Sequence, residues 1–228
     1  LLAYAAERHP DLRRHLSVQA GAANADHIGF LAETYGIRRV VLPRVLTIGE
    51  VEAISRSVDC QTEVFVYGGL CVMEEGRCSL SSYATGKSPN MHGVCSPASH
   101  VRYREDKGEM VSELGAFTIN RFPDSEAAGY PTLCKGRFAA GGTSGYIFED
   151  PVSLDVLSQL GALRSAGVAA LKIEGRQRGR AYVAQVVSEI RKRLSALDVP
   201  ATPINEGALR RLSEGQRTTL GSYDKRWR

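Results

Sequence analysis

Cys71, Cys78, Cys95 and Cys134 are the residues of this chain whose type and spacing could do chemistry. Three lie in "GLCVMEEGRCSLSSYATGKSPNMHGVCSPASH" and the fourth in "AAGYPTLCKGRF", so the spacing is C-x6-C-x16-C-x38-C. Thiolates are soft ligands, and four of them complete the coordination of a metal centre. Structural zinc sites take their ligands from tight C-x2–4-C knuckles, which this pattern lacks. Iron–sulfur clusters accept wider spacing, because a large cubane draws its ligands from several loops, and four thiolates are the full set for [4Fe–4S]. Two readings compete: unrelated buried thiols, and two disulfides with one cysteine left over.

The surroundings of the four cysteines are polar and rich in glycine. Arg77, Lys135 and Arg137 stand beside them and could offset the charge of thiolates. Gly68, Gly69, Gly76, Gly93 and Gly136 would let the backbone turn closely around a cluster. His92 and His100 stay outside the ligand set, since four cysteines leave no vacancy. The fifth cysteine, Cys60 in "SRSVDCQTEV", reads as a small buried apolar side chain.

The elements that must hold these residues follow from periodicity. The chain has 228 residues, 43% hydrophobic and 24% charged, with a net charge of +4. These are values for an ordinary globular domain with a substantial core, and the mild positive charge does not demand nucleic acid. No secretory signal and no bilayer-long apolar run is visible, which points to the cytoplasm. Helix is predicted over Leu2–Arg14 with a break at Pro10, over Ala25–Tyr35 with Asn24 as cap, and over Ile48–Arg56. Strands are predicted at His15–Ala20, Arg38–Pro43 and Thr62–Gly68. Between Gly69 and Gly145 the alternation stops, with strand-like pieces only at Val101–Arg104 and Ala116–Ile119. It resumes with a helix over Ser153–Ala166 capped by Ser153, a strand over Val168–Gly175, and a long basic helix over Ala181–Leu197.

Strand–helix alternation predicts an α/β fold with a parallel sheet. A closed (β/α)8 barrel needs about 250 residues, and the alternating parts here supply roughly half of that. The reading is therefore a partial, second-half TIM-like barrel with a Cys-rich, iron–sulfur-binding insertion. Its parts are barrel units over 1–68, the insertion over 69–145, a further βα unit over 146–198, and a tail over 199–228. The chain begins with Leu1 inside a helix, as a fragment would. Barrel chemistry belongs at the carboxyl ends of strands, where Gln19, Arg44, Tyr67, Glu174 and Arg176 fall. Glu174, Arg176 and Gln19 are the candidate catalytic or substrate-facing residues, with a structural Lys172–Glu174 pair as the competing reading. The basic helix carries Arg180, Arg191, Lys192 and Arg193 and reads as a solvated outer helix.

The segments "VVLPRVLT", "EVFVYGGLCVMEEGRCSLSSYATGKSPN", "CSPA", "AGYPTLCKGRF" and "LKIEGRQRGRAYV" together resemble the collagenase-like peptidase family. Within it they are similar to members of oxygen-independent ubiquinone biosynthesis. The resemblance covers essentially the whole chain; what it lacks is the family's N-terminal portion, the first barrel strands. It implies a [4Fe–4S] cluster held by Cys71, Cys78, Cys95 and Cys134. It also implies a heterodimer with a related UbiV-like protein, an aromatic isoprenoid quinone precursor as substrate, and hydroxylation of its ring without oxygen. Relatives hydroxylate bases of transfer and ribosomal RNA, with prephenate implicated as oxygen source. Peptidase activity and RNA base hydroxylation are the alternatives. For the former the chain offers no Ser–His–Asp order and no HExxH helix. Half a barrel would leave an open sheet edge and an exposed apolar face. These residues alone should therefore aggregate or stay partly unfolded; a monomer that melts sharply in calorimetry would contradict this.

Overall fold

The computed structural model describes residues 1–73, 77–91, 93–175, 178–198 and 207–225. The chain forms two compact units, Leu1–Leu70 with Val152–Arg228, and Cys71–Pro151. In chain order the first unit opens with α1 (Leu2–Arg8), β1 (Arg14–Leu16), α2 (Ala25–Tyr35), β2 (Ile37–Val41), α3 (Ile48–Ser57) and β3 (Gln61–Gly69). The second unit holds α4 (Ser79–Thr85), β4 (Val101–Asp106), β5 (Glu109–Leu114), β6 (Phe117–Pro123), β7 (Arg137–Ala140) and β8 (Thr143–Tyr146). The chain then returns to the first unit with β9 (Ser153–Asp155), α5 (Leu160–Ser165), β10 (Ala170–Ile173), α6 (Arg180–Ala196) and β11 (Thr218–Thr219).

Local chemistry sets the limits of α2 and α3. Asn24 accepts a hydrogen bond from the His27 amide at 2.8 Å, and Gly36 ends α2 in the left-handed region at φ 63°. Thr47 and Glu50 form a reciprocal capping box at the start of α3. The Thr47 amide donates to Glu50 Oε2 at 2.8 Å, and this bond is the main reason the Glu50 carboxyl sits below its ordinary pKa.

Strand β3 is the centre of the first unit. Val64, Val66 and Tyr67 are fully buried, as expected of a strand covered on both faces. It pairs parallel with β2 at its start and with β10 along its middle, and β1 extends the parallel set beyond β2. Its last residues pair antiparallel with β9, which carries β11 on its other side. The fold is thus mixed α/β, and among the described residues the sheet does not close into a barrel. No described helix is long and apolar enough to cross a membrane.

Four expectations are corrected. The helix over Ser153–Ala166 begins only at Leu160; Ser153–Asp155 is a strand followed by a 3-10 turn. The end of β3 needs ladder partners beyond β2, and β9 supplies them at Tyr67–Gly69. The Ser153 hydroxyl is accordingly no cap: it accepts from the Glu214 amide at 2.9 Å. The strand over His15–Ala20 stops at Leu16, because Ser17 caps a 3-10 turn at Val18–Ala20 that Gly21 ends at φ 64°. The stretch after Gly69 contains a two-turn helix, α4, and three strands the pattern did not reveal, β5, β7 and β8. Finally, Arg193 is no solvated cation: it is 6% exposed and pairs with Glu189 at 3.1 Å. Arg176, His92, Gly76, Pro200 and Pro203 lie outside the described residues.

Gly68 has φ +124°, and a Cβ there would meet Glu174 Cβ at 2.6 Å and the Glu174 carbonyl oxygen at 2.7 Å. Gly68→Ala should therefore destabilise the protein by about 1–3 kcal/mol from backbone strain alone, with the clash added. Gly29, in α2 with nothing within 4 Å of its Cβ position, is the control. Gly29→Ala should stabilise by about 0.5–1 kcal/mol in the same urea titration.

Candidate metal centre

The four cysteines all belong to the second unit, which two small sheets and α4 build. Cys71 is exposed, Cys78 and Cys95 are half-buried, and Cys134 is buried. Cys78 is the N-cap of α4, and its sulfur accepts from the Ser81 amide at 3.3 Å. The Ser81 hydroxyl donates to the Cys95 carbonyl, so the first turn of α4 holds two cysteine loops together. The Tyr130 hydroxyl donates to the Ser96 carbonyl at 2.9 Å and ties the Cys95 loop to the segment leading to Cys134. Cys134 itself lies in a 3-10 turn, Leu133–Lys135, and its carbonyl accepts from the Glu149 amide at 3.1 Å.

The thiols are electrostatic neighbours. Burial pushes the Cys134 thiol up to about 12, and Cys95 and Cys71 act on it in the same direction. Burial also raises Cys95, with the nearby Cys78 adding to the effect and a hydrogen bond with Ser96 opposing it. Yet among the described residues no three Cys, His, Asp or Glu side chains are gathered tightly enough to hold one metal ion. Four sulfurs around a single zinc would stand about 3.8 Å apart, given zinc–sulfur bonds of about 2.3 Å. By donor type, the four cysteines of this unit are the complement that the expected cubane cluster would need.

The neighbouring cations divide. Lys135 is buried, and its charge favours the thiolate form of both Cys134 and Cys95. Arg137 is engaged elsewhere, with Asn120 at 3.3 Å and Glu126 at 3.3 Å. Arg77 is exposed. His100 shares a hydrogen bond of 3.0 Å with the Ser99 hydroxyl. Glu149, which acts on Cys134 as a negative charge, carried no signal in the sequence, because only the return of the chain past β8 brings it to that turn.

The other candidates lie in the first unit, where Cys60 is also found packed in the core. The Glu174 amide donates to the Tyr67 carbonyl at 2.9 Å, and its Oε2 accepts from the Gly69 amide at 3.3 Å. Glu174 thus fastens the end of β10 to the end of β3. The expected Lys172–Glu174 pair is replaced by Lys172–Glu63 at 3.0 Å, since the neighbouring strand brings Glu63 to the lysine. Glu63 also pairs with Arg39 at 3.3 Å. Gln19 lies within a 3-10 turn, its amide donating to the Ser17 hydroxyl at 3.3 Å. Arg44 packs its guanidinium 3.6 Å from the centre of the Phe65 ring. Tyr67, another of the strand-end residues singled out in the sequence, donates its hydroxyl to the Leu209 carbonyl at 3.0 Å and meets Ser213 at 3.0 Å.

The chain belongs to peptidase family U32, whose family model matches residues 1–220. It is 31% identical over 204 residues to the tRNA hydroxylation protein P of Escherichia coli, covering 82% of this chain and 45% of that protein. It is 30% identical over 190 residues to the 23S rRNA 5-hydroxycytidine C2501 synthase of the same organism, covering 82% of this chain and 24% of that one. A collagenase of Porphyromonas gingivalis is 27% identical over 180 residues, covering 74% of this chain and 36% of its own. The chain thus spans less than half the length of these relatives. No solved structure matches it.

The raised thiol pKa values have a sign that can be checked. Unfolded, the Cys134 thiol loses its proton near its ordinary value of 9.0; folded, it keeps it until about 12. Between those limits the folded state binds more protons, so stability falls as pH rises through that window. In metal-free protein at pH 8, iodoacetamide should label exposed Cys71 first and leave Cys134 protected, as read by peptide mass spectrometry. Rapid labelling of Cys134 would contradict the burial.

Proposed function

We propose that this chain is the iron–sulfur part of an oxygen-independent ring hydroxylation protein, acting in ubiquinone biosynthesis in the manner of UbiU. The observation that carries the reading is that one unit holds all four cysteines, with Ser81 joining Cys78 to the Cys95 loop and Tyr130 tying that loop to the segment before Cys134. Relatives named for hydroxylation support the reaction class. The sequence motifs support the quinone branch. The four cysteines would hold the [4Fe–4S] cluster, which when bound supplies one-electron chemistry. Four protein thiolates leave no open iron, so the cluster's task is electron transfer or support of the fold rather than ligation of substrate.

The chain's own residues have definite parts in this reading. Cys78 and the Ser81 amide keep one ligand oriented at the start of α4. The Leu133–Lys135 turn places Cys134 away from water, and Lys135 offsets thiolate charge. The parallel strands β1, β2, β3 and β10 lie side by side in chain order, the arrangement of an arc of a (β/α) barrel. In that arc Glu174 stands at a strand's carboxyl end, where a ring substrate would lie. The working unit would be a cytoplasmic heterodimer with a UbiV-like protein, taking an aromatic isoprenoid precursor and an oxygen donor such as prephenate.

A second reading, hydroxylation of an RNA base, is favoured by the names of the Escherichia coli relatives. Two experiments order the choices. Full-length protein purified without oxygen should be brown and hold about four iron and four sulfide per chain. Cys134→Ser should lose most of both; a colourless protein that takes up zinc stoichiometrically would sink the cluster. A deletion strain grown without oxygen should then lose ubiquinone in lipid extracts. An unchanged quinone pool with a missing hydroxylated nucleoside would transfer the function to RNA.

A further inference from the structure

We propose that Lys135 sets the reduction potential of the group held by the four cysteines, acting through Cys134 and Cys95 as a fixed buried cation. The inference rests on the cluster reading above and deepens it. Lysine is almost never buried unless a negative partner offsets the cost. Lys135 is 9% exposed. It occupies the same 3-10 turn as Cys134, so its backbone is fixed one residue from a ligand.

That turn is clamped from several sides. The Lys135 amide donates to the Thr132 carbonyl at 2.9 Å, and its own carbonyl accepts from Asn120 Nδ2 at 3.4 Å. Asn120 Oδ1 in turn accepts from the Arg137 amide at 2.9 Å. Gly136 admits no side chain, since a Cβ would meet the Phe138 ring at 2.5 Å and the Ile119 carbonyl oxygen at 3.1 Å. The lysine thus lies in a turn locked onto β6. Its charge bears on two thiols, and Glu149 opposes it: that carboxylate is anchored by its amide to the Cys134 carbonyl at 3.1 Å and bears on Cys134 with the other sign.

A fixed cation beside a cluster stabilises the reduced, more negative state more than the oxidised one. Removing it makes reduction harder. Removing a fixed anion does the reverse. Lys135 touches no substrate in this scheme; it is a positioning residue, and a potential reports on it where stability alone would not.

The test uses the full-length protein purified without oxygen, as wild type, K135M, K135R and E149Q, with potentials read by titration monitored by electron paramagnetic resonance. The expected result is a more negative potential in K135M, a wild-type value in K135R, and a more positive value in E149Q. If the wild type holds no iron and sulfide, the cluster reading fails and this inference falls with it. If the wild type is loaded and K135M keeps its potential, this inference alone is overturned, because Lys135 then only balances Glu149. Should K135M take up no cluster, the neutral polar variant K135Q carries the decision: an unchanged potential there overturns the proposal.

Discussion

The backbone of β3 is the constraint on which the first unit depends. Val64 to Gly68 are buried in succession, so the N–H and C=O groups along that stretch need protein partners. The Glu63 carbonyl takes the Leu42 amide at 2.9 Å, the Thr62 carbonyl the Ala169 amide at 3.0 Å, and the Val66 carbonyl the Val156 amide at 3.0 Å. At the carboxyl end the Tyr67 carbonyl takes the Glu174 amide at 2.9 Å. Three segments far apart in sequence are thus fastened to one strand. Gly68 is needed where Glu174 presses closest, because a side chain there has neither space nor a permitted backbone angle. The chain leaves this strand through Leu70 and enters the second unit at Cys71.

In the second unit the governing quantity is desolvation. Burial is the largest cause of the raised Cys134 thiol, so a metal that bound there would displace a proton. Lys135 acts on Cys134 in the opposite sense to burial. Two arginines of the β4-β5-β6 sheet are committed to carboxylates. Arg104 holds Glu113 at 2.9 Å and Arg121 holds Asp106 at 2.9 Å across the β4-β5-β6 sheet.

The first unit's candidates each have a structural partner, though not always the one the sequence suggested. Glu174 is a strand-end fastener, Lys172 closes a ladder with Glu63 and Arg39, and Gln19 sits in a capped turn. None of these placements forbids contact with a substrate. They do show that each residue has a structural reason to be where it is.

What could be read locally was read well. Asn24 and the apolar spacing of α2 fixed that helix to its ends, and the β-branched and aromatic run of β3 declared a buried strand. The cysteines were recognisable as a chemical set because residue type and polar surroundings are carried in the sequence itself. Other features belong to the tertiary structure. Ser153 looked like a cap, but β3 lacked a ladder partner there and made it a strand. Lys172 took Glu63 rather than Glu174, because pairing of β10 with β3 decides which carboxylate is near. Lys135 was legible as a neighbour of Cys134 in the sequence, but its burial comes only from the fold. Helix limits and residue chemistry depend on neighbours within a few positions. Ladder partners, ion pairs and desolvation depend on segments that only the fold brings together.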